Sequence, residues 1–474
     1  MHGWARAEME QAAVWDRRCV RSLTRICERL AQHTGVSFST ACGAAGRQAA
    51  HRIFTHESTT IAGLLQGHFQ QTAGRGLQHC GPQPAAVPLL VAQDTTFLNY
   101  QTHGATTGLG PIHHVGSEAR GLVSHAALAL TPQGLPLGLL HLDIWARDPA
   151  AQGKKATRHL RDTADKESQK WLDGLHAIET ATPAEQAVIV LADREADVFD
   201  YLAAPRRATT HLIVRAQHPR RVRCHPSTTT PPRAEGQLLD LAASAPLLGH
   251  LTVEVPRKRG QAARTAMLEL RCVPLWILPP GERRLRNKGK EPVAVWVVCA
   301  QEPAATELPQ GAERIVWYLL CTQPVTDHRM AERVVHYYCC RWRIERLHFT
   351  LKSGLQVERL QCDDATTLQH ALALCYVVAW RLLWLTYLAR GEPEAPAATL
   401  CTATELAVLA AATQRAPATR REVIRTIAKL GGFPGHPSAG EPGVKTLWLG
   451  LRQLEQMVLG WSLAQQTFTA MRQD

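Results

Sequence analysis

Two apolar segments of the sequence each end directly in an aspartate. Residues 88–93 (PLLVAQ) run into Asp94, and residues 187–192 (AVIVLA) run into Asp193. A short apolar run bounded by polar residues predicts a buried strand. A carboxylate at the end of such a strand is held rigidly while one side faces solvent. The pair predicts an α/β core with acidic side chains at strand ends, although a turn or capping role stays open for either aspartate alone.

The first 80 residues predict a small helical unit. Apolar side chains recur at i, i+3, i+4 and i+7 from Leu23 to Leu30, with basic residues between them. Such a unit could dock on a nucleic-acid duplex, and a solvated charged face would explain the same pattern. Across the chain, 53 Lys and Arg against 41 Asp and Glu give a net charge of +12, which favours a polyanionic partner.

Beyond residue 80 the pattern changes to strands and then returns to helices. The segments GLVSHAALAL and LPLGLLHLDIWA, joined by TPQG, predict a hairpin, and strand signals alternate with basic loops between about 205 and 328. Everything after Thr366 is helical in pattern. We therefore expect a helical domain at 1–80, an α/β core at 81–388 with a β-rich insertion at about 205–328, and a helical domain at 389–474.

The spacing of cysteines and histidines and the longest apolar stretch indicate the cellular compartment in which the protein is expected. The 13 Cys include no C-x-x-C pair and the 22 His show no zinc-site spacing, so we expect reduced thiols, no zinc site and a cytoplasmic protein. The segment Ala371–Ala389 is the most apolar of the chain but carries Arg381 near its middle. This predicts a buried core helix, with a membrane span as the alternative.

A third acidic residue, Glu345, lies in a segment with helical spacing. Four polar residues recur here at helical spacing: Tyr338, then Arg341 three residues later, Glu345 four residues after that, and Lys352 a further seven residues on. Residues three, four and seven apart share one face of a helix. An ion-paired surface helix would show the same pattern. Because the segment also contains Trp and paired Cys, it should pack on the core and direct its charged face into a cleft.

Asp94, Asp193 and Glu345 form a candidate metal site. Three carboxylates from two strands and one helix can hold two Mg²⁺ or Mn²⁺ ions about 3.5–4 Å apart, and hard oxygen ligands suit those ions. Such a pair activates water or a 3′-hydroxyl on one side and stabilises a leaving oxygen on the other. The neighbouring cations would hold a phosphodiester in place.

The chain resembles the bacterial insertion-sequence transposases of family four, the cut-and-paste DDE enzymes typified by the transposase of transposon five. Four blocks carry the resemblance, and weaker matches lie at 48–54 and 427–433. The blocks are QDTTFLNY around Asp94, KESQKW at 166–171, LADREADVFDYL around Asp193, and the set Tyr338, Arg341, Glu345 and Lys352, whose spacing matches that family's Y-R-E-K signature.

The resemblance implies a fold and a reaction. It implies an RNase H-like core with a β-rich insertion, a DNA-binding N-terminal domain and a C-terminal domain that pairs two protomers. It also implies two metal ions per site, and nicking at transposon inverted-repeat ends, hairpin formation, hairpin opening and strand transfer into target DNA. In such enzymes the Y-R-E-K set grips phosphates near the cut.

Two further residues match DNA-contacting positions of that family. Trp317 occupies the place of an aromatic residue that stacks on a flipped base, and Arg215 matches another contact; a core tryptophan on a buried strand is the alternative for Trp317. One position departs from the family, because Phe349 stands where a second Lys is often found. His348 could supply the missing phosphate contact.

Two other functions stay open at this point. One is an RNase H-like nuclease that cuts DNA without joining it, because both reactions use the same metal site. The other is a non-catalytic DNA-binding protein derived from a transposase, such as a repressor or inhibitor. The presence of all three carboxylates and of both terminal helical regions favours the complete transposase.

Overall fold

The computed structural model describes residues 3–33, 38–81, 84–112, 117–151, 166–224, 235–255, 262–281, 289–436 and 439–470. The chain divides into two compact units. We call residues 1–79, 95–158 and 343–474 the helical unit, and residues 80–94 and 159–342 the sheet unit. Strand β1 (Leu89–Asn99) belongs to both, because the division falls after Asp94.

Three parallel strands form the centre of the sheet unit. β5 (Val188–Ala192) pairs with β1 on one side and with β6 (Thr210–Arg215) on the other. All five residues of β5 are buried, as its uninterrupted apolar sequence predicts for a central parallel strand. Helix α5 (Gln169–Ala181) buries Trp171, Leu175 and Ile178 at helical spacing. It lies so close to β1 that a Cβ on Gly174 would come within 2.4 Å of the Gln93 side chain.

Antiparallel strands complete the sheet unit. β12 (Val316–Cys321) pairs with β6, and β11 (Val293–Gln301) and β10 (Arg264–Ile277) follow it in antiparallel order. β10 also pairs with β7 (Arg221–Cys224) and β9 (Leu247–Val255), and β7 pairs with β8 (Glu235–Gln237). The strand signals between 205 and 328 are therefore confirmed as strands. The remaining elements of this unit are α6 (Phe199–Leu202), α7 (Leu238–Ala243) and α8 (His328–Cys340).

The helical pattern predicted for residues 1–80 is confirmed in the described part of this segment, which contains four helices. They are α1 (Trp4–Met9), α2 (Arg17–Gln32), α3 (Phe38–Phe54) and α4 (Ile61–Cys80). α2 starts at Asp16, whose side chain accepts from the Arg18 backbone N–H, and it buries the apolar face from Leu23 to Leu30 that its periodicity predicts. α3 is broken at Gly43, which has a φ of 65°.

The hairpin predicted around TPQG is also present in the helical unit. β3 (Arg120–Leu130) pairs antiparallel with β4 (Pro136–Trp145), and the short β2 (Gly110–Pro111) pairs with β3. A buried polar cluster fastens α1 and α4 to β4. Glu8 accepts from His68 Nδ1 at 2.6 Å and from Arg75 at 2.7 Å, and His68 Nε2 accepts from the Leu139 N–H. Burial opposes ionisation of Glu8, but His68 and Arg75 offset it and lower its pKa to about 2.

Helices form the remainder of the helical unit. They are α9 (Trp342–Phe349), α10 (Ala365–Gly391), α11 (Ala403–Thr413), α12 (Arg420–Leu430) and α13 (Val444–Ala470). Of the described residues, only α10 forms a helix long and apolar enough to cross a membrane, and 83% of its most apolar window is buried inside the protein. The prediction of a buried helix is confirmed. Arg381 is accommodated there by stacking over Trp384 at 4.3 Å, and burial lowers its pKa to about 10.

Candidate functional site

Asp94 and Asp193 lie side by side on neighbouring parallel strands of the sheet unit. The β1–β5 register pairs Leu89 with Val188 and Ala92 with Leu191. The same register carried two residues further places Asp94 opposite Asp193, just beyond the end of β5. Burial raises the pKa of Asp193, and the nearby charge of Asp94 raises it further. The two strands therefore bring two mutually repelling carboxylates together. Asp193 lies at the end of its strand as predicted, but the strand end predicted at Asp94 is wrong, because β1 continues through Asp94 to Asn99.

The chain after Asp193 turns sharply, and this turn fixes the aspartate's orientation. Asp193 caps a short 3-10 helix, Arg194–Ala196, and its Oδ1 accepts from the Glu195 N–H at 2.9 Å. This hydrogen bond and the charge of Arg341 favour the ionised form of Asp193 and oppose the effect of burial. The buried Lys170 ammonium lies 3.4 Å from the Glu195 carboxylate. Lys170 thus places a cation beside Glu195, which lies two residues after Asp193 in the sequence.

Tyr338, Arg341 and Arg215 form a cluster, and Tyr338 and Arg341 interact with the charge of Asp193. Tyr338 is 2% exposed and Arg341 is 7% exposed, and the Arg341 guanidinium lies 5.7 Å from the Tyr338 ring centre. Burial raises the pKa of the Tyr338 hydroxyl, while the charges of Arg341 and Arg215 lower it. Arg215 donates to the Val316 carbonyl and interacts with the Tyr338 hydroxyl. The sheet unit therefore brings two arginines and a phenol together, and two of the three interact with the charge of Asp193.

Trp317 belongs to the same cluster. It lies on β12 opposite Ala300, and its ring meets that of Tyr338 edge-on with centres 5.7 Å apart. The side chain is half-buried rather than fully enclosed. A half-buried tryptophan keeps part of its surface open to stack on a planar group, whereas a fully enclosed core tryptophan does not.

Glu345 and Lys352 lie in the helical unit, whereas the other six predicted site residues lie in the sheet unit. Glu345 is exposed on α9, four residues after Arg341. Lys352 is half-buried, and its ammonium donates to the Phe97 carbonyl at 2.6 Å. Burial lowers the pKa of Lys352, and Glu358 opposes that effect. The convergence of Glu345 on the two aspartates stays a prediction.

The segment that carries these residues is helical, but it is not one straight helix. α8 ends at Cys340, α9 begins at Trp342, and a π-helical turn follows from Thr350 to Gly354. A π turn is wider than an α turn and rotates the residues that follow it. Tyr338 and Arg341 are buried and Glu345 is exposed. The single charged face expected from the spacing stays a prediction.

The residue expected to replace the family's second Lys is buried. His348 is 6% exposed and its ring meets Tyr376 edge-on, and its contact with a phosphate stays a prediction. The neighbouring Phe349 is 42% exposed. The Arg346 guanidinium lies 5.5 Å from its ring centre. An exposed cation is therefore available close to Phe349, on a residue that sequence reasoning passed over.

The carboxylate pair suits a hard divalent cation. Among the described residues no group of three or more His, Cys, Asp or Glu side chains is arranged to hold a metal ion. Two aspartates that repel one another provide oxygen donors whose charge a cation would neutralise, and Mg²⁺ often uses one or two carboxylates plus water and substrate oxygens. The residues present in the sheet unit therefore fit such an ion.

Three family models match successive parts of the chain. Residues 1–59 match the model described as transposase DNA-binding, and residues 161–380 match the transposase DDE domain. Residues 377–469 match the transposase Tn5 dimerisation domain. The DDE match includes Asp193 and the segment from Tyr338 to Lys352, and the dimerisation match covers α11 to α13.

Proposed function

Because the chain belongs to the DDE transposases of the Tn5 type, we propose that it cuts a transposon from DNA and pastes it into a new site. As a DDE enzyme it catalyses phosphodiester chemistry in DNA transposition, and enzymes of this type generally use divalent metal ions. Its terminal regions support DNA binding and dimer formation. The proposal adds the residues, the metal ions, the DNA ends and the order of steps.

One observation supports the proposed active site most directly. Asp94 and Asp193 face each other across two parallel strands, and the charge of Asp94 raises the pKa of Asp193. Folded proteins seldom keep two like charges together without a function, because the repulsion destabilises the fold. We assign Asp94, Asp193 and Glu345 as ligands of two Mg²⁺ or Mn²⁺ ions. When bound, such ions lower the pKa of a water or hydroxyl and stabilise the leaving oxygen.

The cations of the cluster act on the substrate. Arg341 and Arg215 place two guanidinium groups next to Tyr338 and near Asp193. Guanidinium groups bind phosphate oxygens through paired hydrogen bonds, so these side chains hold the scissile strand beside the carboxylates. Lys352 contributes from the turn that follows α9. Trp317 stacks on a base that leaves the duplex when the strand bends into a hairpin.

We further propose an RNase H-like core at residues 81–388, with the strands from about 205 to 328 as its insertion. Residues 1–80 bind the inverted-repeat ends of the transposon, and residues 389–474 pair two protomers in the DNA-bound complex. The reaction proceeds by nicking, hairpin formation, hairpin opening and strand transfer into target DNA. It takes place in the cytoplasm of a bacterial cell, where chromosomal DNA is available.

The test compares single alanine substitutions of Asp94, Asp193 and Glu345 in the full-length protein. Labelled duplexes that carry the transposon end are assayed for binding by gel shift and for nicking with Mg²⁺ and with Mn²⁺. We expect each variant to bind the ends as the wild type does and to lose nicking altogether. Asp240→Ala, an exposed carboxylate on α7 of the sheet unit, serves as the control and should nick normally. Nicking at a near wild-type rate by any of the three would overturn the assignment of that residue.

A strand-transfer assay separates this function from the alternatives. Pre-cut ends incubated with a supercoiled plasmid should become joined to it. Cleavage without joining would favour a nuclease, and binding without cleavage by the wild-type chain would favour a non-catalytic DNA-binding protein.

A further inference from the structure

A second aspartate lies four residues after Asp193 and is enclosed by hydrogen-bond donors. The Asp197 side chain is fully buried. Its Oδ2 accepts from the backbone N–H groups of Gln217 at 2.8 Å and His218 at 3.0 Å. Its Oδ1 accepts from Arg220 Nε at 2.8 Å. Arg220 also donates to the Asp197 backbone carbonyl, so its guanidinium binds both the carboxylate and the main chain of Asp197.

These contacts join two loops at the carboxyl ends of neighbouring parallel strands. After β5, Asp193 caps the start of the short 3-10 helix, and Asp197 follows the end of that helix. Gln217, His218 and Arg220 follow β6, which ends at Arg215. The loop after Asp193, a proposed metal ligand, is therefore hydrogen-bonded to the turn that begins at Gln217. This turn begins two residues after Arg215, a proposed phosphate contact. We call Asp197 and Arg220 the clamp.

The clamp organises an exposed edge rather than the apolar core. Gln217 and His218 both have exposed side chains, although their N–H groups point inward to Asp197. A neutral side chain could fill the same space, but it could not accept from two backbone N–H groups and a guanidinium at once. A carboxylate can, and Arg220 neutralises its charge. The clamp therefore adds no net negative charge beside the repelling Asp94 and Asp193.

We propose that Asp197 is a positioning residue for DNA cleavage, which acts by holding Arg215 in register with Asp193. The proposal rests on the function proposed above. Without the clamp, the turn after β6 loses the three hydrogen bonds that the carboxylate accepts. Arg215 then no longer meets the scissile phosphate while Asp193 is in place. End binding, which depends on contacts spread over the whole duplex, is left largely unchanged.

The experiment is a double-mutant cycle in the full-length protein. Asp197→Asn, Arg215→Ala and the combined variant are compared with the wild type for single-turnover nicking and for end binding. Asp197→Asn keeps the size of the side chain and removes its charge. Asp200→Asn is the matched control. Asp200 lies three residues after Asp197 and also forms an ion pair, with Lys290 at 2.5 Å. This variant should nick within about twofold of the wild type.

We expect Asp197→Asn to slow nicking by about ten- to a hundredfold and to change end affinity by less than about twofold. In the Arg215→Ala background, the same substitution should slow nicking by less than about threefold, because its effect passes through Arg215. A purely structural role would lower the active fraction equally in both backgrounds. Equal effects in the two backgrounds would therefore overturn the proposal, as would normal nicking by Asp197→Asn.

A second variant keeps the test decisive if Asp197→Asn does not fold. Arg220→Lys retains the charge of the clamp but loses the forked donor geometry, and the cycle with Arg215→Ala is read by the same criterion. Failure of this proposal is distinguishable from failure of the proposed function. Activity in the Asp193→Ala variant would refute the proposed function. An inactive Asp193→Ala variant together with a fully active Asp197→Asn variant would refute only the positioning role of Asp197.

Discussion

Replacing Asp94 by Asn removes one of two like charges that face each other across parallel strands β1 and β5. The register places Asp94 opposite Asp193, and Asp193 keeps its attraction to Arg341. Because the substitution relieves repulsion and preserves side-chain size, we expect it to make the folded protein more stable while abolishing DNA cleavage.

The size of this gain follows from Coulomb's law. Neighbouring strands lie about 4.8 Å apart, so the two carboxylates are separated by roughly 5–7 Å. Two unit charges at about 6 Å repel by about 0.7 kcal/mol in water and about 3 kcal/mol at an effective dielectric constant of about 20. Both aspartates are half-buried, so a value of about 1–2 kcal/mol is expected. This corresponds to a rise in Tm of a few degrees.

The gain should depend on pH in a defined direction. The pKa of Asp193 is raised in the folded protein by burial and by Asp94. A carboxyl group with a raised folded pKa weakens stability as pH rises from the ordinary Asp pKa through the folded value. The advantage of Asp94→Asn is therefore fully developed at pH 7. It disappears below the ordinary Asp pKa, about 3.9, where the carboxyl group is protonated in both states.

Thermal unfolding at pH 7 with EDTA, at pH 7 with Mn²⁺, and at low pH measures these effects. Mn²⁺ should stabilise the wild type by binding, by about 1.4 kcal/mol at ten times the dissociation constant, and should stabilise Asp94→Asn much less. Asp200→Asn, which breaks an ion pair, should not gain stability. A lower Tm for Asp94→Asn in EDTA, or a gain unchanged by Mn²⁺ and by pH, would show that the two carboxylates do not repel one another.

Three further outcomes are expected of the proposed transposase. Trp317→Ala should slow hairpin formation more than the first nick, and an end lacking the flipped base should partly rescue it; equal slowing without rescue would make Trp317 a core residue. Arg341→Ala should slow strand cleavage by about ten- to a hundredfold, consistent with about 1.5–3 kcal/mol for a charge-assisted hydrogen bond; a total loss would indicate a role beyond phosphate binding. Leu463 and Phe468 are 64% and 66% exposed on α13, so replacing both by Ser should leave Tm unchanged and prevent pairing of two protomers on DNA ends, as size measurements of the complexes would show.

Sequence periodicity predicted the secondary structure well where one physical signal dominated. The apolar runs before Asp94 and Asp193 became parallel strands, the hairpin around TPQG formed, and the apolar residues from Leu23 to Leu30 face inward on α2. Spacing did not predict the π turn at 350–354, which includes Lys352. Periodicity assumes constant turns, so it cannot anticipate such a change.

The sequence by itself singled out the residues proposed for the reaction and predicted the strands that carry Asp94 and Asp193. Asp94 and Asp193 could be singled out because an apolar run ending in a carboxylate is a local pattern. Only the tertiary structure decided that Trp317, Tyr338 and Arg215 share one cluster and that His348 is buried beneath Tyr376. It alone revealed that Asp197 fastens the loop after β5 to the turn after β6. Those relations join residues about 20 or more positions apart, and a burial or hydrogen bond over that separation is set by packing rather than by neighbouring residues.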